Sequence, residues 1–361
     1  MENALNTTNK EKAQSREIII VGAGPAGLAT ALELKRLGKT DILVLESQVF
    51  PRDKCCAGYV TSKTVKAYKE FGLDVMGECD YHLIDDFNIL YKNQKRQTII
   101  NKFLYTNRII NRVELDHGFF KIAKAAGIEI AEHSAVSSID VGESLVKTIA
   151  GDYFRYEYLV FADGTSGFGS KLQVPKNRNI AMQILFQADI EDKIDIHFGI
   201  SKRGYGWVSS YHGNVNIGLT DIYDRDINYR DLFGEFVKTL GMDIPLDNLY
   251  AAFTPIGVGE PIINKNIYYA GDALGACDPF TLSGLRYGLE SGRAAAHSIV
   301  ENKPEIYNLF AKSLKRRFFI TRSMQRAFYL EPILFMVFNI GCRFFGRMIS
   351  SVFNNFFVNK K

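Results

Sequence analysis

The 361-residue chain carries 44 Lys and Arg against 40 Asp and Glu and is 47% hydrophobic and 23% charged. These proportions exclude wholesale disorder and a collagen-like fibre, and they argue against a polytopic membrane protein. At about 150 residues per domain the chain holds two or three structural units, and its net charge of +4 is too small to point to nucleic acid.

Five cysteines at irregular spacings, and an N-terminus without the apolar core of a signal peptide, lead to the expectation of a reducing cytoplasm. No CxxC, HxxH or His/carboxylate spacing suggests a metal, so none is expected.

Polar residues 1–16 read as a disordered lead. Glu17 to Val21 is then a short β-branched strand that runs into Gly22-Ala-Gly24-Pro25-Ala26-Gly27, and a helix follows from Leu28 to Leu37 with Gly38 as its stop. A second strand, Asp41 to Leu45, ends at Glu46. This is a dinucleotide fingerprint in its full context. Gly22 makes the tight turn, Gly24 lets backbone approach a pyrophosphate, and Gly27 permits close contact between helix and strand. Glu46, 19 positions after Gly27, is placed to accept a ribose 2′-OH, with Ser47 beside it. The turn alone does not distinguish FAD from NAD.

Two later strands end in Asp: Val160-Phe-Ala-Asp163-Gly164, and Ile267-Tyr-Tyr-Ala-Gly271-Asp272. The second leads through Asp278-Pro279 and Thr281-Leu-Ser283-Gly284 into a helical pattern from Leu285 to His297. The N-terminus of such a helix favours negative charge.

Together with the N-terminal turn, these segments resemble the three cofactor signatures of FAD enzymes with the para-hydroxybenzoate hydroxylase type of fold. The resemblance implies FAD as cofactor, with Asp272 at a ribityl hydroxyl. Arg112, ahead of a helix from Phe119 to Gly127, matches an arginine that contacts the flavin nucleotide in such proteins.

Within that superfamily, Phe50-Pro-Arg52-Asp-Lys54-Cys55-Cys56-Ala57-Gly58 resembles the Pro-Arg-x-Lys-x-Cys-Gly-Gly loop of the geranylgeranyl reductase family. Cys56 aligns with the family's cysteine, a proton donor or gate whose thiolate Arg52 and Lys54 would favour. A second mark, Gly204-Tyr205-Gly206-Trp207, resembles the PxxYxWxFP motif, in which Tyr and Trp narrow the cavity around an isoprenoid chain. The chain departs from that motif at Lys202, Ser209 and Ser210, and Thr281-Leu-Ser-Gly284 replaces the family's Thr-Gly-Glu-Gly.

The resemblance spans about Glu17 to Ala296. It implies hydride transfer from reduced FAD to an isoprenoid double bond, with Cys56, Tyr205 and Trp207 as the catalytic set. A flavin monooxygenase, a quinone-linked electron-transfer flavoprotein and a non-catalytic flavin-binding protein remain open alternatives. There is no Trp-x-Trp-x-Ile-Pro motif of halogenases. The electron donor, NAD(P)H, ferredoxin or another small reductant, is unread.

The last 51 residues hold ten basic residues, one acid (Glu331) and ten of the 26 phenylalanines. From Ile333 onward apolar residues at 334, 337/338, 341, 344/345 and 348/349 oppose Asn339, Arg343 and Arg347, an amphipathic helix too interrupted to span a bilayer. It either lies on an anionic membrane or caps the protein.

The expected architecture is α/β: a Rossmann-like FAD-binding domain assembled from 17–80, 101–175 and 255–300. A mostly antiparallel substrate sheet comes from 81–100 and 176–254, and a basic helical region from 301–361.

Overall fold

The computed structural model describes residues 10, 12–54, 56–83, 86–100, 108–173, 178–259 and 266–341. Most of the lead, Cys55 and the amphipathic pattern beyond 341 lie outside the described residues.

One seven-stranded sheet is centred on Gln14–Val21, which pairs in parallel with Ile42–Leu45 on one side and Tyr153–Phe161 on the other. Glu129–Ala131 extends the first side, Ile267–Tyr269 joins Tyr153–Phe161 in parallel, and Val136–Asp140 with Leu145–Thr148 adds an antiparallel ribbon. Ile18, Ile19 and Ile20 are wholly inaccessible, because a parallel strand covered on both faces needs apolar side chains in succession rather than in alternation. The strand begins three residues before Glu17, as Gln14, Ser15 and Arg16 pair with Phe154, Arg155 and Tyr156. Its exposed polar start hid that extension.

The helix Pro25–Arg36 opens with Pro at its first turn and ends at Gly38, whose φ of +95° suits glycine. The helix Leu285–Glu301 packs along it so closely that a Cβ on Gly292 would sit 2.5 Å from the Ala26 carbonyl oxygen. The helix expected from Phe119 runs instead over Arg112–Ala125, with Asn111 Oδ1 accepting the Val113 N–H at 2.9 Å. Its first turn holds a buried Arg–Asp pair that masks the apolar periodicity.

The second seven-stranded sheet has the order Tyr250–Pro255, Arg178–Gln187, Asn214–Ile222, Tyr205–Tyr211, Lys193–Phe198, Asp86–Tyr91, Gln94–Ile100. It is antiparallel except where Lys193–Phe198 meets Asp86–Tyr91. The Tyr205/Trp207 motif, which the sequence places between strands, is itself a strand. Helix Tyr229–Thr239 covers one face, with Phe233, Phe236 and Val237 buried in a cluster with Ile217 and Leu219.

Tyr81–Leu83 does not join this sheet as expected. It pairs with Arg108–Ile110, and that strand pairs with Tyr59–Val60, in a separate three-stranded sheet.

The chain then forms a 25-residue helix, Pro304–Phe328, a short helix Glu331–Phe335 and a π-helical turn Met336–Gly341. Leu334 and Phe338 are buried where the pattern placed them, and Phe338 stacks on Tyr91 and Phe198 with centroids 5.1 and 5.2 Å apart. This part of the C-terminal region therefore caps the second sheet, while Phe335 and Met336 stay exposed.

Candidate active site

A single cavity of about 1040 Å³ joins the strand ends of the first sheet to one face of the second. The glycine-rich turn forms its floor. Gly22 has φ +102°, and a Cβ there would meet the Ala162 oxygen at 2.5 Å, while one on Gly27 would lie 1.9 Å from the Gly22 oxygen. Both positions thus require glycine to keep turn, helix and neighbouring strand in contact. Gly24 differs: its backbone is ordinary, and a Cβ would meet only Arg52 Nη2 at 3.4 Å. What its missing side chain keeps clear is the cavity.

Glu46 borders the same floor, 5% exposed. Its carboxylate accepts the Ala23 N–H at 2.6 Å and the Gln48 N–H at 2.9 Å. Glu46 therefore braces the turn while bordering the cavity. Ser47, Pro25 and Ala26 line the cavity beside it.

Asp163 and Gly164 stand at the end of the neighbouring strand. Asp163 Oδ2 accepts the Gly169 N–H at 2.7 Å, whereas its Oδ1 is buried without a hydrogen-bond partner. Burial pushes its carboxyl up to about 6.

Gly271, Asp272, Asp278, Ser283 and Gly284 form the opposite wall, where helix Leu285–Glu301 begins with no side-chain cap. Its first N–H groups are thus left toward the cavity. Asp278 Oδ1 folds this loop by accepting the N–H groups of Phe280 and Thr281, both at 3.0 Å, and the Thr281 hydroxyl at 3.2 Å. Leu282, at the second position of the replaced Thr-Gly-Glu-Gly motif, has φ +55°, a left-handed conformation that favours glycine. Pro279 sits inside the same loop but does not line the cavity.

Arg112 is 7% exposed and donates from Nε and Nη2 to Asp116 at 2.9 to 3.2 Å. It lines the cavity with its charge already paired to that carboxylate, which explains how a guanidinium is buried there.

The residues at these walls fit FAD. The open space over Gly24 would admit a pyrophosphate, the uncapped helix start at Gly284 offers N–H donors, and the unpartnered Asp163 Oδ1 is a spare acceptor.

Tyr205 and Trp207 lie two apart on one strand and so face the cavity together, with Ser209 continuing the line. The Tyr205 hydroxyl donates to the Thr281 carbonyl at 3.2 Å, and burial pushes its phenol well up, keeping it protonated.

Trp207 Nε1 donates to Asn216 Oδ1 at 3.0 Å, and Asn216 Nδ2 in turn donates to the Cys56 carbonyl at 3.1 Å. The Cys56 N–H donates to Gln183 Oε1 at 2.9 Å. Asn216 and Gln183 thus tie the second sheet to the cysteine loop. The Cys56 thiol accepts the Gly58 N–H at 3.4 Å, and Ala57 and Cys56 both line the cavity. Gly58, at φ +76°, turns the loop against Ile110.

Sequence reasoning passed over Cys277. It is 1% exposed, lines the cavity and has its thiol pushed well up by burial, with Asp272 and Asp278 adding to the effect. Cys56, Cys277 and Tyr205 interact electrostatically with one another and line the same cavity.

The sequence pattern of the pyridine nucleotide-disulphide oxidoreductase family matches residues 16–191. A menaquinone reductase of Mycobacterium tuberculosis is 28% identical over 313 residues, covering 78% of this chain and 76% of that protein. A digeranylgeranylglycerophospholipid reductase of Methanococcus vannielii is 23% identical over 306 residues, covering 78% and 76%.

Among solved structures, a geranylgeranyl bacteriochlorophyll reductase-like protein from Thermoplasma acidophilum superposes with a TM-score of 0.73 at 19% identity, covering 88% of each chain. A p-nitrophenol 4-monooxygenase from Pseudomonas putida gives 0.69 at 17% identity, covering 96% of this chain and 100% of that one. The fold is therefore common to reductases and monooxygenases. With its dinucleotide turn, flavin-side helix and paired sheets around one cavity, the chain is an FAD-dependent oxidoreductase similar to the geranylgeranyl reductases.

Proposed function

We propose that the protein reduces a carbon–carbon double bond in the isoprenoid chain of a lipid. The observation that carries this reading is the continuity of the cavity. The nucleotide wall at Gly24 and Gly284 passes without a partition into Ile194, Ile196, Tyr205, Trp207 and Ala252 of the second sheet. An apolar wall with few polar groups suits a long hydrocarbon and keeps water from it.

FAD held at these walls would, once reduced by an external donor, supply the hydride. The chain's own part is to orient the double bond, exclude water and hold the proton for the neighbouring carbon. We assign that transfer to Cys56, a reading supported by its loop, which Gln183 and Asn216 fix and which opens on the cavity. Cys277 and Tyr205 line the same cavity, and burial keeps both protonated and uncharged.

Helix Pro304–Phe328 is the route of entry. Its Arg317 and Thr321 border the cavity, while Phe319 and Ile320 on the same turn are 74% and 53% exposed. Between Glu305 and Glu331 it carries six basic residues and no acid. That face suits an anionic bilayer from which a lipid enters; no helix of the described residues is long and apolar enough to cross one. The names of the two reductase relatives, one of them acting on a digeranylgeranyl lipid, are in keeping with this substrate class.

The test is anaerobic: reduce the purified flavoprotein with dithionite, add a geranylgeranyl lipid, and follow flavin reoxidation and product mass. Reoxidation with a gain of two hydrogens is expected. Inertness toward the lipid, with rapid reoxidation by oxygen and hydroxylation of an aromatic, would replace the proposal with a monooxygenase.

A further inference from the structure

We propose that His82, Asp192 and His212 form a binding site for a divalent transition-metal ion of the zinc type, remote from the flavin cavity. One ligand atom from each residue lies within 4.8 Å of the others. His82 Nδ1 and Asp192 Oδ2 are 3.2 Å apart. Two ligands of a tetrahedral zinc at metal distances near 2.0–2.1 Å are separated by about 3.3 Å, so this pair already stands at ligand spacing. None of the three lines the cavity.

The surrounding geometry organises the cluster. Asp192 Oδ1 accepts the backbone N–H of His212 at 2.9 Å, which aims the carboxylate while leaving Oδ2 toward His82. A second carboxylate, Asp80, approaches His212 Nδ1 at 3.2 Å and steadies that ring, the part that carboxylates commonly take beside metal-bound imidazoles.

His212 and Gly213, at φ +49° and +77°, are the two central residues of the hairpin turn closed by the Tyr211–Asn214 pair. Asn-Gly is the favoured occupant of such a turn. Here an imidazole stands in the asparagine's place, on the one turn that brings it to Asp192 and His82.

Two imidazoles and one carboxylate select zinc, cobalt, nickel or ferrous iron over magnesium or calcium. Side-chain exposures of 32% for His82, 30% for Asp192 and 53% for His212 leave room for water at the remaining position. The three residues come from the small sheet at Tyr81–Leu83, from the residue before strand Lys193–Phe198, and from the turn after Tyr205–Tyr211. A bound ion would therefore clamp the small sheet onto the ends of two inner strands of the substrate-side sheet.

The experiment titrates Co²⁺ into the full-length, FAD-loaded, metal-stripped protein and reads calorimetry together with visible absorption. One equivalent is expected, with the ligand-field bands of low-coordinate Co²⁺ and their loss on adding Zn²⁺. His82→Ala and His212→Asn should each weaken binding at least tenfold, and Asp80→Asn by about 10- to 100-fold. Asparagine tolerates the positive φ at 212, and an unchanged flavin content and circular dichroism certify the fold of each variant. Sub-stoichiometric binding, thiolate-to-metal absorption pointing to cysteine ligands, or unaltered affinity in both histidine variants would overturn the site.

Discussion

Gly24→Val separates the cofactor site from the fold. Gly24 lies at φ −71°, ψ 177°, a backbone open to any residue, and its Cβ would touch only the end of the Arg52 side chain at 3.4 Å. Restricting the unfolded chain favours the variant by about 0.5–1 kcal/mol, and replacing a glycine helix cap by valine costs about 1 kcal/mol. These offset, so the flavin-free protein should melt within about 3 °C of wild type. The valine methyls, however, fill the space over the helix N-terminus through which a pyrophosphate approaches. Overpacking of that kind costs about 1–3 kcal/mol, which raises the FAD dissociation constant by about 5- to 150-fold. Gly27→Ala is the contrast: its Cβ would lie 1.9 Å from the Gly22 oxygen, so fold and flavin should fail together. Flavin stoichiometry after gel filtration, fluorescence titration with FAD and thermal melting of the apoprotein measure all three quantities. A Gly24→Val protein that keeps a full flavin complement at wild-type affinity would refute the placement of the dinucleotide.

Trp207→Ala should retain flavin yet lose turnover of a long isoprenoid at least tenfold, and cost about 3–5 kcal/mol of stability as a buried aromatic removed; Trp207→Phe should recover most of the stability without the hydrogen bond to Asn216. Cys277→Ser should leave FAD binding, rate and solvent isotope effect on lipid reduction unchanged, because a thiol pushed well up by burial is a weak acid, whereas a slower reduction with a larger isotope effect would put Cys277 in the proton path. Phe319→Ser with Ile320→Ser should cut sedimentation with anionic vesicles at least tenfold and leave flavin content intact; equal sedimentation would move the contact to another face.

The residues whose chemistry is carried by local spacing were legible in sequence. Gly22, Gly24 and Gly27 announce their turn because strand, turn and helix are consecutive, whereas Tyr205 and Trp207 stood out by their motif while the strand that carries them was read as a segment between strands. What was not legible depends on chain segments meeting across long separations. Asn216 lies 160 positions from the Cys56 carbonyl it holds, and no pattern around either residue encodes that bond. Cys277 reads as an ordinary cysteine until the fold brings Cys56 and Tyr205 to the same cavity. His82, Asp192 and His212 have no metal-like interval because three separate strand ends bring them together. The start of helix Arg112–Ala125 was obscured for a different reason, since its first-turn charges Arg112 and Asp116 are buried by pairing with each other rather than exposed.

Asp163 and His197 give the protein opposing acid responses. The Asp163 carboxyl, pushed up by burial to about 6, holds its proton in the folded flavin-free protein after the unfolded chain has released it near 3.9. Its contribution is full below that value and is lost as pH rises through 6, by up to about 3 kcal/mol. His197, 2% exposed with Nε2 unpartnered, is pushed down by burial to about 4. Here the unfolded chain takes up a proton below about 6.5 that the folded protein refuses, so stability falls by about 3 kcal/mol as pH drops from 6.5 to 4. Across pH 4 to 6 the two slopes have opposite sign, so each masks part of the other in the wild-type profile. Asp163→Asn keeps an oxygen for the Gly169 N–H and removes one slope, so the variant should lose stability on acidification from pH 6 to 4. His197→Gln removes the other and should lose stability as pH rises over the same interval. Urea unfolding of the flavin-free proteins at half-unit pH steps reads both slopes, and variants that track the wild-type profile would show that neither buried group keeps the protonation state its surroundings impose.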